Sequence, residues 1–191
     1  MATCGTWSER QRFGLYYYLY TPTPSVSEEL PLALWLHGGV RNLAENISAA
    51  ELARTPFLAG QSSRPAALLR PLARHLSHWM TPWVGPETGS HALTKRPPPS
   101  LGIASAVLDR LLQTQRQRLD PRRVIVSGAS MGGYATWELL LRRPEVFEAA
   151  VPISGGGDPS RAHLLNRTRL WIFHSADDPI VSINRRSDRA L

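Results

Sequence analysis

The stretch VIVSGASMGGYATW, residues 124–137, decides how the chain is read. Val124-Ile125-Val126 is a β-branched apolar run that favours a strand, and the residues from Met131 to Arg143, stopped by Pro144, favour a helix. Between them Gly128 and Gly132 stand two residues either side of Ser130. That spacing suits a turn in which strand and helix backbones pass too closely for side chains, and Gly-x-Ser-x-Gly in this setting lifts a serine hydroxyl above the end of a sheet. Ser130 is therefore the candidate nucleophile, and a helix-capping serine is the alternative.

Outward from that turn the pattern is of strands alternating with helices. GLYYYLYTP (14–22) is aromatic and β-favouring, LPLALWLHGG (30–39) is the continuous apolar run of a strand buried on both faces, and AALLR (66–70) reads as a short strand. Residues 81–100 form a long loop. Ser100 can cap a helix whose Leu101, Ala104, Leu108, Leu111 and Leu112 share one face and which ends before Asp120-Pro121. AAVPIS (149–154) and LWIFHS (170–175) supply two more strands, separated by a loop and a short helix. The prediction is one α/β domain over 1–191, with a mostly parallel sheet and helices on both faces.

Composition narrows the function classes. The net charge of +7 is carried almost wholly by arginine, since Lys95 is the only lysine. The pairs Arg122/Arg123, Arg142/Arg143 and Arg185/Arg186 fall at predicted element ends, where cations favour helix C-termini or meet water. With no recognised motif and no aromatic-interleaved basic stripe, no nucleic-acid partner is expected. The single cysteine, Cys4, rules out an internal disulfide and a cysteine-based metal cluster, and no histidine pair has HExxH spacing, so no metal is expected. MATCGTWSER lacks the apolar core of a signal peptide and no window approaches a membrane span, which makes a cytoplasmic location and no membrane partner the expectation. The glycosylation triplets at Asn46 and Asn166 are then chance matches.

An acyl-transfer serine needs fixed donors for the oxyanion of its tetrahedral intermediate. One is the amide of Met131, directly after Ser130. The other belongs on a loop after an earlier strand, and His37-Gly38-Gly39-Val40 ends such a strand, with the Gly39 amide favoured. Gly155-Gly156-Gly157-Asp158 lacks the lysine of a phosphate-binding loop and reads as a turn. Trp35, Trp137 and Trp171 lie inside predicted elements and are assigned to the core; Trp79 and Trp83 are assigned to a pocket wall.

LWLHGG, DPRRVIVSGASMGGYATWELLLRRPEVFEAAVPISGGGD and LWIFHSADDPIV together resemble the esterase branch of the α/β-hydrolase superfamily, near the phospholipase/carboxylesterase and polyhydroxyalkanoate-depolymerase-like enzymes and the predicted peptidases of that group. The similarity is strong over 119–182, fair over 30–46 and weak over 55–100. It implies hydrolysis of a small-molecule carboxylic ester through an acyl-enzyme on Ser130, with no cofactor. It also implies the chain order Ser, Asp, His; the family's H-G-x-x-D-x-x-V segment, aligned on His174 and Val181, puts the acid at Asp178 and makes Asp177 a bystander. His37 and His174 match family positions that shape loops, while His75, His78, His91 and His163 read as surface residues. No histidine follows Asp178 in PIVSINRRSDRAL, residues 179–191, a segment that reaches only about 20 Å even as a helix. The expectation is a domain lacking its last strand and helix, with its base absent and the 170–175 strand near an exposed sheet edge. Such a chain hydrolyses esters weakly, or is a pseudoenzyme that binds an acyl ligand or a partner without turnover. Oligomeric state cannot be read from these residues.

Overall fold

The computed structural model describes residues 5–22, 29–39, 65–73, 79 and 92–178. The apolar runs become the strands β1 (Gly5–Arg12), β2 (Leu15–Pro22), β3 (Leu30–Leu36), β4 (Ala67–Leu72), β5 (Leu119–Ala129), β6 (Ala149–Ile153) and β7 (Arg169–Leu170). They pair in the order β1-β2-β4-β3-β5-β6-β7. The pairs β1/β2 and β2/β4 are antiparallel and all the others parallel, so the sheet is mixed but mostly parallel, as expected. Two α-helices are described, α1 (Pro99–Thr114) and α2 (Met131–Arg142).

Strand alternation sorts the side chains onto two faces. Leu32, Leu34 and Leu36 of β3 and Val124 and Val126 of β5 pack on Leu101, Ala104, Val107 and Leu108 of α1 and on Ala135, Leu139 and Leu140 of α2, in one buried cluster. Both helices therefore cover the same face. They are also tied to each other, because the Arg143 guanidinium donates to both Asp109 carboxylate oxygens at 2.8 and 3.0 Å and to Ser105 Oγ at 2.6 Å. On the other face Tyr20, Ala33 and Leu68 form a smaller cluster with Trp7 and Trp35. No helix covering that face lies among the described residues.

Three local readings differ from the structure. β1 went unread because GTWSERQR has only Trp7 to offer the core, and because its hairpin turn is Phe13-Gly14, both at positive φ (52° and 78°), where Asn-Gly is the usual signal. α1 starts two residues early: Pro98 occupies the cap and Pro99 the first turn, so Ser100 is not the cap and is buried instead. β5 starts at Leu119, five residues before the apolar run, and a bulge between the Leu30/Leu119 and Leu32/Val124 pairs absorbs Pro121, which has no amide to donate. Asp120 beside it is held near pKa 2 by hydrogen bonds from the Arg122 side chain and amide and from Arg123.

The 170–175 strand forms, but as a thin edge. Amides of Arg169, Trp171 and Phe173 donate in turn to the carbonyls of Glu148, Ala150 and Pro152, at 3.0 to 3.1 Å. Leu170 and Ile172 pack toward the helices, while Trp171 is 68% exposed. The assignment of Trp171 to the core is thereby overturned: it sits in one cross-strand row with Trp35, Ser127 and Val151, on the face the described helices leave open, at the sheet's edge. Trp137 is buried as expected. Trp79 is fully buried rather than lining a pocket, and Trp83 lies outside the described residues.

Candidate active site

The parallel strands β3, β5, β6 and β7 bring their C-terminal ends to one edge of the sheet, and Ser130 and the His37–Gly39 loop meet there. Ser130 adopts φ 54°, ψ −118°, a conformation that costs a non-glycine residue about 1–3 kcal/mol and persists only when its surroundings impose it. They do so through backbone contact. A Cβ on Gly128 would lie 2.5 Å from the Gly132 carbonyl oxygen and 2.6 Å from that of Leu36, and one on Gly132 would overlap the Leu36 carbonyl itself. Ser130 N–H donates to the Ile153 carbonyl at 2.9 Å, and its own carbonyl accepts from Tyr134 N–H at 3.0 Å.

The Ser130 side chain makes no capping bond to α2. The capping alternative is therefore excluded by the geometry. Its hydroxyl stands at the start of the helix, where the amide of Met131 is among the first-turn donors that the helix leaves unused. The His37–Gly39 loop passes alongside: a Cβ on Gly38 would be 3.6 Å from Ser130 Cβ and 3.2 Å from the Ala129 carbonyl oxygen. The same probe on Gly39 meets nothing within 4 Å, so the Gly39 backbone faces open space beside the serine's neighbour.

His37 shapes this loop. Its Nε2 accepts from Ala73 N–H at 3.1 Å, which requires a lone pair there and puts the proton on Nδ1, 2.7 Å from the Gly38 carbonyl that accepts it. Burial lowers its pKa, and Trp79 packs edge-on at 5.1 Å between ring centroids. Both nitrogens are engaged, so His37 cannot take a proton from Ser130 without giving up one of these bonds. Nothing in the local sequence signals this, since Ala73 is remote in the chain.

Asp177 and Asp178 have different surroundings. Asp177 accepts from Ser175 Oγ at 2.5 Å, the bond that chiefly lowers its pKa, and so closes an exposed turn. Asp178 is half-buried, with Oδ2 4.0 Å from Nε2 of the buried His174. Two ladder spacings separate β5 from β7, about 10 Å. No side chain among the described residues hydrogen-bonds the Ser130 hydroxyl; His163 is exposed, and His75, His78 and His91 lie outside the described residues. Sequence reasoning missed Ser154, which ends β6 at φ 46° and donates its amide to Phe173 O at 2.8 Å, a second strained serine between the elbow and Asp178.

Gly155-Gly156-Gly157-Asp158 is a turn. Gly155 packs on the backbone of Gly133 and Tyr134, and Asp158 caps a 3-10 turn (Pro159–Leu165) by accepting from Ser160 N–H at 3.1 Å. Among the described residues no three His, Cys, Asp or Glu side chains converge to hold a metal, and no helix is long and apolar enough to cross a membrane.

Residues 105–183, from mid-α1 to just past Asp178, match the prolyl oligopeptidase family. Among solved structures, a thermostable esterase is 28% identical with a TM-score of 0.75, over 98% of this chain and 50% of that one. The acetyl xylan esterase of Aspergillus awamori is 15% identical with a TM-score of 0.68, over 95% of this chain and 76% of that one. The acylaminoacyl peptidase of Pyrococcus horikoshii is 13% identical with a TM-score of 0.64, over 97% of this chain and 34% of that one. The chain thus spans half the length of the thermostable esterase it matches. No curated protein matches it.

Proposed function

From the premise that the chain belongs to the α/β-hydrolase superfamily, we propose that it is a serine hydrolase acting on carboxylic esters through an acyl-enzyme on Ser130. One observation carries this reading: Ser130 is forced to φ 54° by the backbones around it, yet its hydroxyl caps nothing. Strain kept without a structural bond in return is characteristic of a reacting group.

In the proposed reaction Ser130 Oγ bonds to the ester carbonyl carbon and loses its proton to a base. The carbonyl electron pair moves onto oxygen, where the amides of Met131 and Gly39 donate to it. Collapse of that intermediate expels the alkoxide, and water repeats the sequence on the acyl-enzyme, regenerating Ser130 and releasing the acid. Asp178 has the role of orienting an imidazole base. His37 is unsuited to that base because both its nitrogens are engaged, and His174 packs against Asp178 on β7's side of the site. Esters with good leaving groups are the fitting substrates, since a phenolate departs without the proton that an amine requires.

The second reading is a binder of acyl ligands or of a partner without turnover, favoured by the lack, among the described residues, of any side chain bonded to the Ser130 hydroxyl. p-Nitrophenyl acetate hydrolysis by the chain and by Ser130→Ala separates the two. With no base, turnover stays within about 10³–10⁴ of the water reaction and is much the same in Ser130→Ala. Turnover near or above about 1 s⁻¹ that vanishes in Ser130→Ala overturns the non-catalytic reading. Equal rates in both proteins overturn the hydrolase reading.

A further inference from the structure

Where α1 gives way to β5 the sequence reads QTQRQR, residues 113–118, and these side chains close one end of a groove of about 520 Å³. The β1–β2 ribbon forms its other wall through Arg10 and Thr21. Their cross-strand partners, Tyr17 and Thr6, place both on the face that carries α1. Three arginines, Arg10, Arg116 and Arg118, thus line one cavity, the Arg10 Nε donating to Ser8 Oγ at 3.1 Å, and every other lining residue is a glutamine or threonine.

Among the described residues no carboxylate lines the groove to neutralise them. Asp120, the nearest acid along the chain, already accepts from Arg122 and Arg123. Glu9 pairs with Tyr18 and so faces the opposite side of the sheet from Arg10. The carbonyl end of α1 offers an anion roughly half an elementary charge of repulsion, which three full positive charges outweigh.

We propose that this groove binds a small phosphorylated, hydroxyl-rich molecule of the sugar-phosphate class. Guanidinium forks match phosphate oxygens two at a time, and glutamine amides and threonine hydroxyls both donate and accept, as sugar hydroxyls require. The volume falls within the roughly 300–1,000 Å³ of small-molecule sites. No aromatic side chain lines the groove, so it lacks the stacking platform that a nucleobase uses. β5 runs from Leu119 beside the groove to Ala129 beside Ser130, about 30 Å away, so the groove is separate from the candidate active site.

Isothermal titration of the chain with glucose 6-phosphate, with glucose and inorganic phosphate as parallel arms, tests the proposal. Glucose 6-phosphate is expected to bind about tenfold or more tightly than either arm, and Arg116→Ala/Arg118→Ala to weaken it by about tenfold or more. Arg167→Ala, an exposed arginine outside the groove, leaves binding unchanged. Absence of saturable binding at millimolar ligand, equal affinity for inorganic phosphate, or an unchanged affinity in the double variant each overturns it.

Discussion

β5 and β7 end at the same edge of one sheet, and each delivers a residue selected from sequence, Ser130 and Asp178. They are held by different means. Ser130 sits where three backbones touch, those of β3, β5 and α2, and the absence of a Cβ at Gly128 and Gly132 makes that contact attainable. Asp178 follows a strand that, among the described residues, is hydrogen-bonded along one side only, with Trp171 and Phe173 exposed on its open face. The elbow is specified by what cannot fit, the acid's arm by bonds that solvent can compete for.

The largest expected effect breaks the comparison at the elbow. Ser130→Ala is expected to abolish covalent labelling by a fluorophosphonate probe and reduce ester hydrolysis to at most about 10³–10⁴ over the water rate, while thermal unfolding shows a stability equal to or above that of the parent, because a strained residue gains nothing from its hydroxyl. Labelling that maps elsewhere after tryptic digestion refutes the assignment of Ser130.

Next is the packing that makes the elbow. Gly132→Ala drives a methyl into the Leu36 carbonyl, a backbone atom that cannot rotate away, and is expected to cost about 3 kcal/mol or more in urea unfolding. Gly39→Ala, whose methyl meets nothing within 4 Å, is expected to cost under about 1 kcal/mol. Similar losses for the two would show that the contact between β3 and α2 is not what fixes the turn.

The two tryptophans extend the contrast to side chains. Trp137→Ala on α2 removes a buried ring and is expected to cost about 3–5 kcal/mol, whereas Trp171→Ala on β7 changes stability by no more than about 0.5 kcal/mol. A large loss at Trp171 means that something covers that face of the sheet in solution.

What was legible in the sequence follows the same division. Val124 to Arg143 could be read because its signals are local: β-branched residues, glycine spacing and a stopping proline. Trp171 could not, since alternation tells which side of a strand a residue takes but not what lies over that side. β1 was hidden by a polar pattern and by Phe13 in a turn position that asparagine usually marks. In the site, the turn at Ser130 came from motif spacing, while the expectation of Asp178 rather than Asp177 came from the family resemblance. The tautomer of His37 and the burial of Trp79 did not, because they depend on contacts with chain far away in sequence.

The smallest expected effect concerns that histidine. Burial holds the pKa of His37 below its ordinary 6.5, against the smaller opposing pull of the Gly38 carbonyl, and the charge of Arg70 adds to the depression. The folded state therefore binds fewer protons at this site than the unfolded chain does once pH falls below about 6.5. Stability from neutral His37 is present above that pH and is lost progressively as pH drops toward the folded pKa. His37→Gln removes the titration along with the ring's bonds, so it is expected to be less stable than the parent at pH 7.5, with the gap narrowing steadily toward pH 5. Urea midpoints at several pH values measure the gap. A constant gap across the range means that His37 titrates alike in the folded and unfolded chain, and a gap that widens toward pH 5 means that the imidazole is protonated in the folded state, in which case Ala73 cannot donate to Nε2 and the loop beside Ser130 is held in some other way.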